Sequence, residues 1–225
     1  MTPMTLGRHR LLESLLWTPR QGYWLAGLHV ARLRHSAECF GVALDESKAR
    51  VELERFAETL TEAAKVRLTV GHDGDMVVSA VSLAAGPGSL KEPLKVGLCP
   101  TPVDATDPWL RHKTTRRDLY EAALRTRPEC NDVLLHNQHA ELTEASSSNL
   151  VVVLGGNRWT PPSTCGLLPG TLRRHLLEAG EIKERVLPKE TLLAAEAIYL
   201  INSVRRWRRA ELLRPEPLLE APQIR

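Results

Sequence analysis

The sequence has no paired cysteines, no long apolar run and little charge bias, and each shortage removes a class of protein. Four cysteines (Cys39, Cys99, Cys130 and Cys165) lie far apart. None belongs to a Cys-x-x-Cys pair, which argues against structural zinc and fits reduced thiols in a cytoplasmic protein. No stretch approaches the ~20 apolar residues needed to cross a bilayer. Residues 1–10 are polar and basic and lack the apolar centre of a signal peptide. The expectation is a soluble protein with no membrane role. Thirty basic against 27 acidic residues leave a net charge of +3, less lopsided than a dedicated nucleic-acid binder. No internal repeat or low-complexity tract is evident.

What is present is a chain of 225 residues, 43% hydrophobic and 25% charged. That is enough to bury a core, as one large domain or two small ones. Residues 11–17 read as a strand ending at Thr18-Pro19, with residues 23–28 as its hairpin partner. Val30, Leu33, Ala37 and Phe40 have helical spacing. Residues 46–64 form the longest amphipathic segment, with Val51, Phe56, Leu60 and Ala63 as candidate core positions. Asp73-Gly74, between apolar runs at 66–70 and 76–83, signals a hairpin. Another strand is expected at 94–98. Pro100, Pro102 and Pro108 mark a linker, placing a boundary between domains 1–105 and 106–225. Beyond it, helices are expected at 115–125, 170–179 and after Pro188, and strands at 132–136, 150–154 and 197–201.

Several groups could do chemistry. Lys113 lies in His112-Lys113-Thr114-Thr115-Arg116-Arg117. A lysine is a poor nucleophile at its ordinary pKa of about 10.4, and neighbouring cations or burial lower that value. The plainer alternative is a solvated basic patch. Glu144 precedes Ser146, Ser147, Ser148 and Asn149, just before a strand, and either sits at a sheet mouth or in an exposed polar turn. Gly170, after Leu168-Pro169, opens a helix whose first N–H groups (Thr171, Leu172) form an anion site or a plain junction. Asn202-Ser203, at a strand end, offers further donors, and Arg32 offers a guanidinium fork suited to phosphate.

The order of these elements resembles the class IV aminotransferase family, the fold-type IV pyridoxal-phosphate enzymes, from Leu12-Glu13-Ser14-Leu15 through Asn202-Ser203. Within it, the runs from His112 to Tyr120, from Cys165 to Thr171 and from Ile201 to Arg205 are most similar to 4-amino-4-deoxychorismate lyase. The likeness is strongest to the lyase portion that follows an aminodeoxychorismate synthase in some proteins. The resemblance implies two α/β domains with pyridoxal 5'-phosphate in the cleft between them, and a homodimer. It implies that Lys113 bonds to the cofactor and Glu144 contacts the pyridine nitrogen. Thr171, Leu172, Asn202, Ser203, Val204 and Arg32 hold the phosphate, Leu168 packs on the ring, and Ser147 and Ser148 line the site. The implied reaction converts aminodeoxychorismate to p-aminobenzoate and pyruvate, with possible functional coupling to an aminodeoxychorismate synthase. Two other functions stay open: a transaminase acting on a D- or branched-chain amino acid, and a non-catalytic protein retaining the fold. The sequence departs from many relatives at Leu172, where a second hydroxyl is common, and at Ala140 and Arg206, where glycine is common.

Overall fold

A computed structural model describes residues 4–83 and 92–213. Its first sheet holds four antiparallel strands in the order β2-β1-β3-β4: β1 (Leu11–Thr18), β2 (Gly22–Tyr23), β3 (Ala64–Val70) and β4 (Met76–Ser82). Helices α1 (Ala26–Phe40) and α2 (Glu46–Ala57) cover one face. Strand β3 shows why: Ala64, Val66, Leu68 and Val70 are buried against Leu33, Ala37 and Phe40 of α1 and Ala49 and Leu53 of α2. With a side-chain period of two, Lys65 and Arg67 must face the other way. Asp45 caps α2 by accepting the Lys48 N–H at 2.9 Å. The expected Asp73-Gly74 hairpin joins β3 to β4. Gly74 has φ +77°, and a Cβ there would lie 2.1 Å from the Ala43 carbonyl oxygen.

Two local expectations are corrected. Strand pairing with this partner is confined to Gly22 and Tyr23, with one further bond from the Trp24 N–H to the Leu16 carbonyl (2.9 Å); Leu25 turns left-handed at φ 57° and α1 begins at Ala26, so residues 25–28 leave the hairpin. The helix expected over 46–64 stops at Ala57, and Ala64 already belongs to β3. Its buried residues are Ala49 and Leu53, whereas Val51 is 58% exposed. Phe56 and Leu60 pack at the margin of the core.

The second sheet contains β5 (Leu94–Leu98), β6 (Asp132–His136), β7 (Leu142–Ala145), β8 (Asn149–Leu154), β9 (Asn157–Thr160), β10 (Lys183–Glu184), β11 (Ala197–Asn202) and β12 (Arg206–Leu212). Their order is β10-β9-β8-β11-β12-β5-β6-β7, and β7 also pairs with β8. That last pairing, Glu144 opposite Asn149, closes six strands into a ring. Leu134, Leu142, Leu150, Val152, Leu200 and Ala210 fill one core. Strand β5 precedes the proline-rich segment and pairs in parallel with β6 and β12. The arginine-rich run at 205–209 enters β12. Helices α3 (Asp118–Arg125) and α4 (Thr171–Glu178) lie outside the strands, and Lys189–Leu193 is a 3-10 turn. Ala140 and Arg206 adopt φ 60° and 59°, the left-handed region where glycine is unstrained. Arg206 lays its guanidinium over Trp24, 4.3 Å from the ring centroid.

Candidate functional site

A cavity of about 460 Å³ lies between the two sheets. Strand β1 borders it, and its edge fixes the key loop: the Leu12 N–H donates to the Lys113 carbonyl (2.9 Å), and the Thr115 N–H to that of Arg10 (2.9 Å). His112 anchors the same loop to α1 through Ser36 Oγ (3.0 Å) and the Phe40 ring. Lys113 is thereby held with its amine in the cavity wall. Burial pushes its pKa down to about 8, helped by the Arg32, Arg117 and Lys65 charges and opposed by Glu13.

Arg32, Lys113, Glu144, Ser147, Ser148, Leu168, Thr171, Asn202, Ser203 and Val204 all line this one cavity. Leu172 does not. Its side chain is buried with Val151, Leu176 and Ile201, so only its backbone is available toward the helix start.

Glu144 sits on β7 and is 4% exposed. Tyr120 Oη donates to Oε1 (2.9 Å) and Asn149 Nδ2 to Oε2 (3.3 Å). Burial raises its pKa to about 7, against the pull of the Tyr120 hydrogen bond and the Lys113 and Arg117 charges. No ion pair engages it among the described residues. Asn149 Nδ2 also donates to the Leu168 carbonyl (2.8 Å). A Cβ at Gly170 would lie 1.9 Å from Asn149 Oδ1, so a side chain there would disrupt the support of Glu144.

At the other end, Arg32 gives Nε and Nη2 to the two oxygens of Glu13 (2.9 and 2.6 Å) and reaches the Pro169 carbonyl through Nη1 (3.4 Å). Its guanidinium therefore stands beside the start of α4. Gly170 caps that helix without a side-chain hydrogen bond, and the first-turn N–H groups of Thr171 and Leu172 have no acceptor within the helix. His29 Nδ1 lies 2.6 Å from Glu13 Oε2, and Nε2 lies 3.3 Å from Thr171 Oγ1. Burial pushes the His29 pKa down, overriding Glu13. The ring is then neutral at pH 7, with its proton on Nδ1, because an ionised carboxylate only accepts. Burial alone would raise the Glu13 pKa, but Arg32 and His29 together bring it down to about 2.

The turn after β11 is held by Asn202, whose Oδ1 accepts the N–H groups of Val204 (3.1 Å) and Arg205 (2.7 Å). Its Nδ2 donates to Ser148 Oγ (2.9 Å). The Val204 N–H, expected as a ligand donor, is thus engaged within the turn. Ser203 Oγ donates to the Ser14 carbonyl (3.3 Å), joining the turn to β1. Ser147 Oγ lies 3.3 Å from Asp132 Oδ2.

Glu13, His29, Tyr120 and Asn149 were not assigned roles from the sequence. Two signals were available: His29 and Arg32, three apart, share a helix face, and Tyr120 follows the lysine run. The lining also carries eight cationic side chains, those of Arg32, Lys65, Arg67, Lys113, Arg116, Arg117, Arg205 and Arg208, against one carboxylate, Glu144. Among the described residues, no group of three His, Cys, Asp or Glu is placed to hold a metal ion, and no helix is long and apolar enough to cross a membrane.

Comparison with known proteins adds three findings. The family model described as amino-transferase class IV matches residues 10–212. A Schizosaccharomyces pombe protein named "putative aminodeoxychorismate lyase" is 31% identical over 186 residues, covering 79% of each chain. Among solved structures, a "putative amino-acid aminotransferase" of Mesorhizobium loti is 31% identical with a TM-score of 0.85, over 91% of this chain and all of the other. A hypothetical aminotransferase of Mycobacterium tuberculosis in its PLP-bound form superposes with a TM-score of 0.79 at 22% identity, over 95% and 84% of the two chains.

Proposed function

The chain belongs to the class IV aminotransferases, the fold-type IV enzymes dependent on pyridoxal 5'-phosphate, and we propose that within them it is an aminodeoxychorismate lyase. The observation that carries a catalytic role is the convergence in one cavity of three features: a lysine with a lowered pKa, a buried carboxylate with a raised one, and a guanidinium beside an uncapped helix start. The lyase reading is supported by the 31% identity to the fission-yeast protein across most of both chains.

The donor set fits the cofactor. Arg32 and the N–H groups of Thr171 and Leu172 suit a phosphate, because a helix start and a guanidinium both favour an anion. Glu144 lacks a cationic partner, which a protonated pyridine nitrogen would supply. Leu168 would give an apolar wall for the ring, and Ser147, Ser148, Asn202, Ser203 and Val204 line the same cavity. When bound, pyridoxal phosphate supplies an electron sink for a carbanion beside the substrate's amine.

Lys113 is the covalent anchor and then the base. With a pKa of about 8, a useful fraction of its amine is neutral near pH 7 and can take the proton from the carbon bearing the substrate's amine. Glu144 holds negative charge opposite the pyridine nitrogen, in a site walled off from water by Tyr120 and Asn149. The C–H bond breaks, the C–O bond to the enolpyruvyl group breaks on the adjacent ring carbon, and the ring becomes aromatic. The enolpyruvate gains a proton and leaves as pyruvate; p-aminobenzoate is the other product. The proposal includes a homodimer and functional coupling to an aminodeoxychorismate synthase, checked by light scattering and by coupled assay.

The likeness to the Mesorhizobium loti aminotransferase favours a second reading, transamination on the same scaffold. Both begin with the same proton abstraction. The deciding assay supplies aminodeoxychorismate, measures p-aminobenzoate and pyruvate, and runs amino-acid and 2-oxo-acid pairs beside it. Amino transfer without p-aminobenzoate decides for the second reading.

A further inference from the structure

We propose that Lys65, Arg205 and Arg208 form a carboxylate-binding subsite in the cavity wall, which selects substrates bearing two carboxylates over ordinary monocarboxylate amino acids. The inference deepens the lyase reading and takes the substrate's identity from it, while the subsite itself rests on the arrangement of the wall.

Lys65 lies on the cavity side of β3, between Ala64 and Val66, which point into the core. Arg205 stands in the turn between β11 and β12, its backbone fixed by Asn202 Oδ1. Arg208 is on β12, two residues from Ala210, so it extends that inward-facing row toward the cavity. All three line the cavity, and Arg205 is the neighbour the other two share, within electrostatic reach of both Lys65 and Arg208.

Of the other cations in the wall, Lys113 is the proposed cofactor anchor and three are already engaged. Arg32 is matched by Glu13, Arg116 lies over Trp109, and Arg117 donates to the Ser146 carbonyl and covers Tyr120. Arg67 is exposed at the rim. Among the described residues, the side chains of Lys65 and Arg205 make no hydrogen bond or ion pair, and Arg208 Nε is shut off from solvent without an acceptor. Asp132 is the acid that acts on Arg208, but its oxygens are occupied by the N–H groups of Val133 and Ser146 and by the Ser147 hydroxyl. Like-charged groups packed without acceptors are unfavourable until an anion supplies them.

An ordinary amino acid brings one carboxylate, bonded to the carbon that carries its amine. Aminodeoxychorismate instead carries one carboxylate on the ring, across from the amine, and one on the departing enolpyruvyl group. A wall with three uncommitted cations, distinct from the phosphate arginine, suits the second pattern.

The test uses the cofactor-loaded enzyme and two probes, isophthalate and benzoate, in calorimetric titrations at low and high salt. The wild type is expected to bind isophthalate about tenfold more tightly than benzoate, given the strength of hydrogen bonds to charged groups. Added salt should weaken that preference. K65M, R205M and R208M should each reduce it, and R205K should retain most of it, with cofactor absorbance unchanged throughout. Absence of the preference in the wild type, or its survival in a K65M/R205M double variant, overturns the subsite. Tighter binding of phenyl phosphate, which lacks an amine, than of isophthalate also overturns it, by reassigning the cations to a phosphate. The reading beneath it fails separately. A wild type that prefers dicarboxylates but makes no p-aminobenzoate keeps the subsite and loses the lyase. Turnover with an unchanged KM in the variants does the reverse.

Discussion

Two glutamates are buried around one cavity, Glu144 in its wall and Glu13 behind Arg32, and their surroundings drive them apart. Glu13, 2% exposed, meets a guanidinium and an imidazole and has its pKa brought down to about 2. Glu144, 4% exposed, meets a phenol and an amide and has its pKa pushed up to about 7. Burial is nearly equal, so the partners make the difference. At Glu13 the Arg32 guanidinium, with the hydrogen bond from His29, offsets desolvation and leaves a permanent carboxylate that orients Arg32. Neutral partners at Glu144 do not, and leave a carboxylate whose charge is unfavourable until a cation arrives. One acid is completed by the protein, the other by a ligand.

The largest effect should come from breaking the completed end. Glu13→Gln removes the charge facing Arg32 and His29 while keeping the shape. Removing one member of a buried pair costs about 3–5 kcal/mol, and a fall in melting temperature of about 10 °C is expected. Glu144→Gln should act in the opposite sense on stability. Above pH 7 the cofactor-free variant no longer buries an unfavourable charge, so it should melt at or above the wild-type temperature. Its turnover should nevertheless fall about 10²-fold, the scale of a lost electrostatic stabiliser. Equal destabilisation by both substitutions would show that the two ends do not differ in the way described.

Titration separates the same two acids. Glu13 has a folded pKa below its unfolded value of 4.5, so its contribution is present above pH 4.5 and is lost as pH falls toward 2. Glu144 is raised, so its unfavourable charge is absent below pH 4.5 and fully present above about 7. Lys113 is lowered from 10.5 to about 8; the unfolded state binds the extra proton between those values, so stability rises with pH across that window. Denaturant melts of cofactor-free wild type and of each variant, from pH 3 to 10, resolve the three windows. The rate of covalent cofactor attachment, followed by absorbance, should rise about tenfold per pH unit up to about pH 8 and then level.

How much of this was legible depended on how local the signal was. Lys113, Glu144, Gly170 and Asn202 stand in short runs whose order could be read, and the structure brings them to one cavity. Glu13 lies inside Leu11-Leu12-Glu13-Ser14-Leu15-Leu16, where apolar neighbours mark a strand but do not say which face the acid takes. Its partners come from a helix that the sequence reading started four residues late, at Val30, leaving His29 outside it. Strand β12 was hidden because Arg205, Arg206, Arg208 and Arg209 mask a period of two under uniform charge. The phase of α2 was misread because Ala49 is small, and a small residue at a tight crossing carries no hydrophobic signal as strong as Val51.

The smallest expected effect tests how far the completed end reaches. His29 links Glu13 to Thr171: Nδ1–H donates to the carboxylate, and Nε2 is left to accept from the threonine hydroxyl. That hydroxyl is then directed at His29, so under the proposed reading the backbone N–H groups of Thr171 and Leu172, with Arg32, would carry the phosphate contact. His29→Asn preserves one polar contact to Glu13 but cannot reach both partners, and should cost about 1–2 kcal/mol of stability. Thr171→Val removes only the hydroxyl. If the backbone and Arg32 suffice, cofactor affinity measured by fluorescence should change less than threefold, well under 1 kcal/mol by the relation between affinity and free energy. A much larger loss would mean that the hydroxyl itself serves the phosphate and that His29 is protonated in the loaded enzyme, with Nε2–H donating to Thr171 Oγ1. The pair Glu13–His29 would then carry a titrating proton, and the contrast between the two glutamates would narrow to a difference in degree.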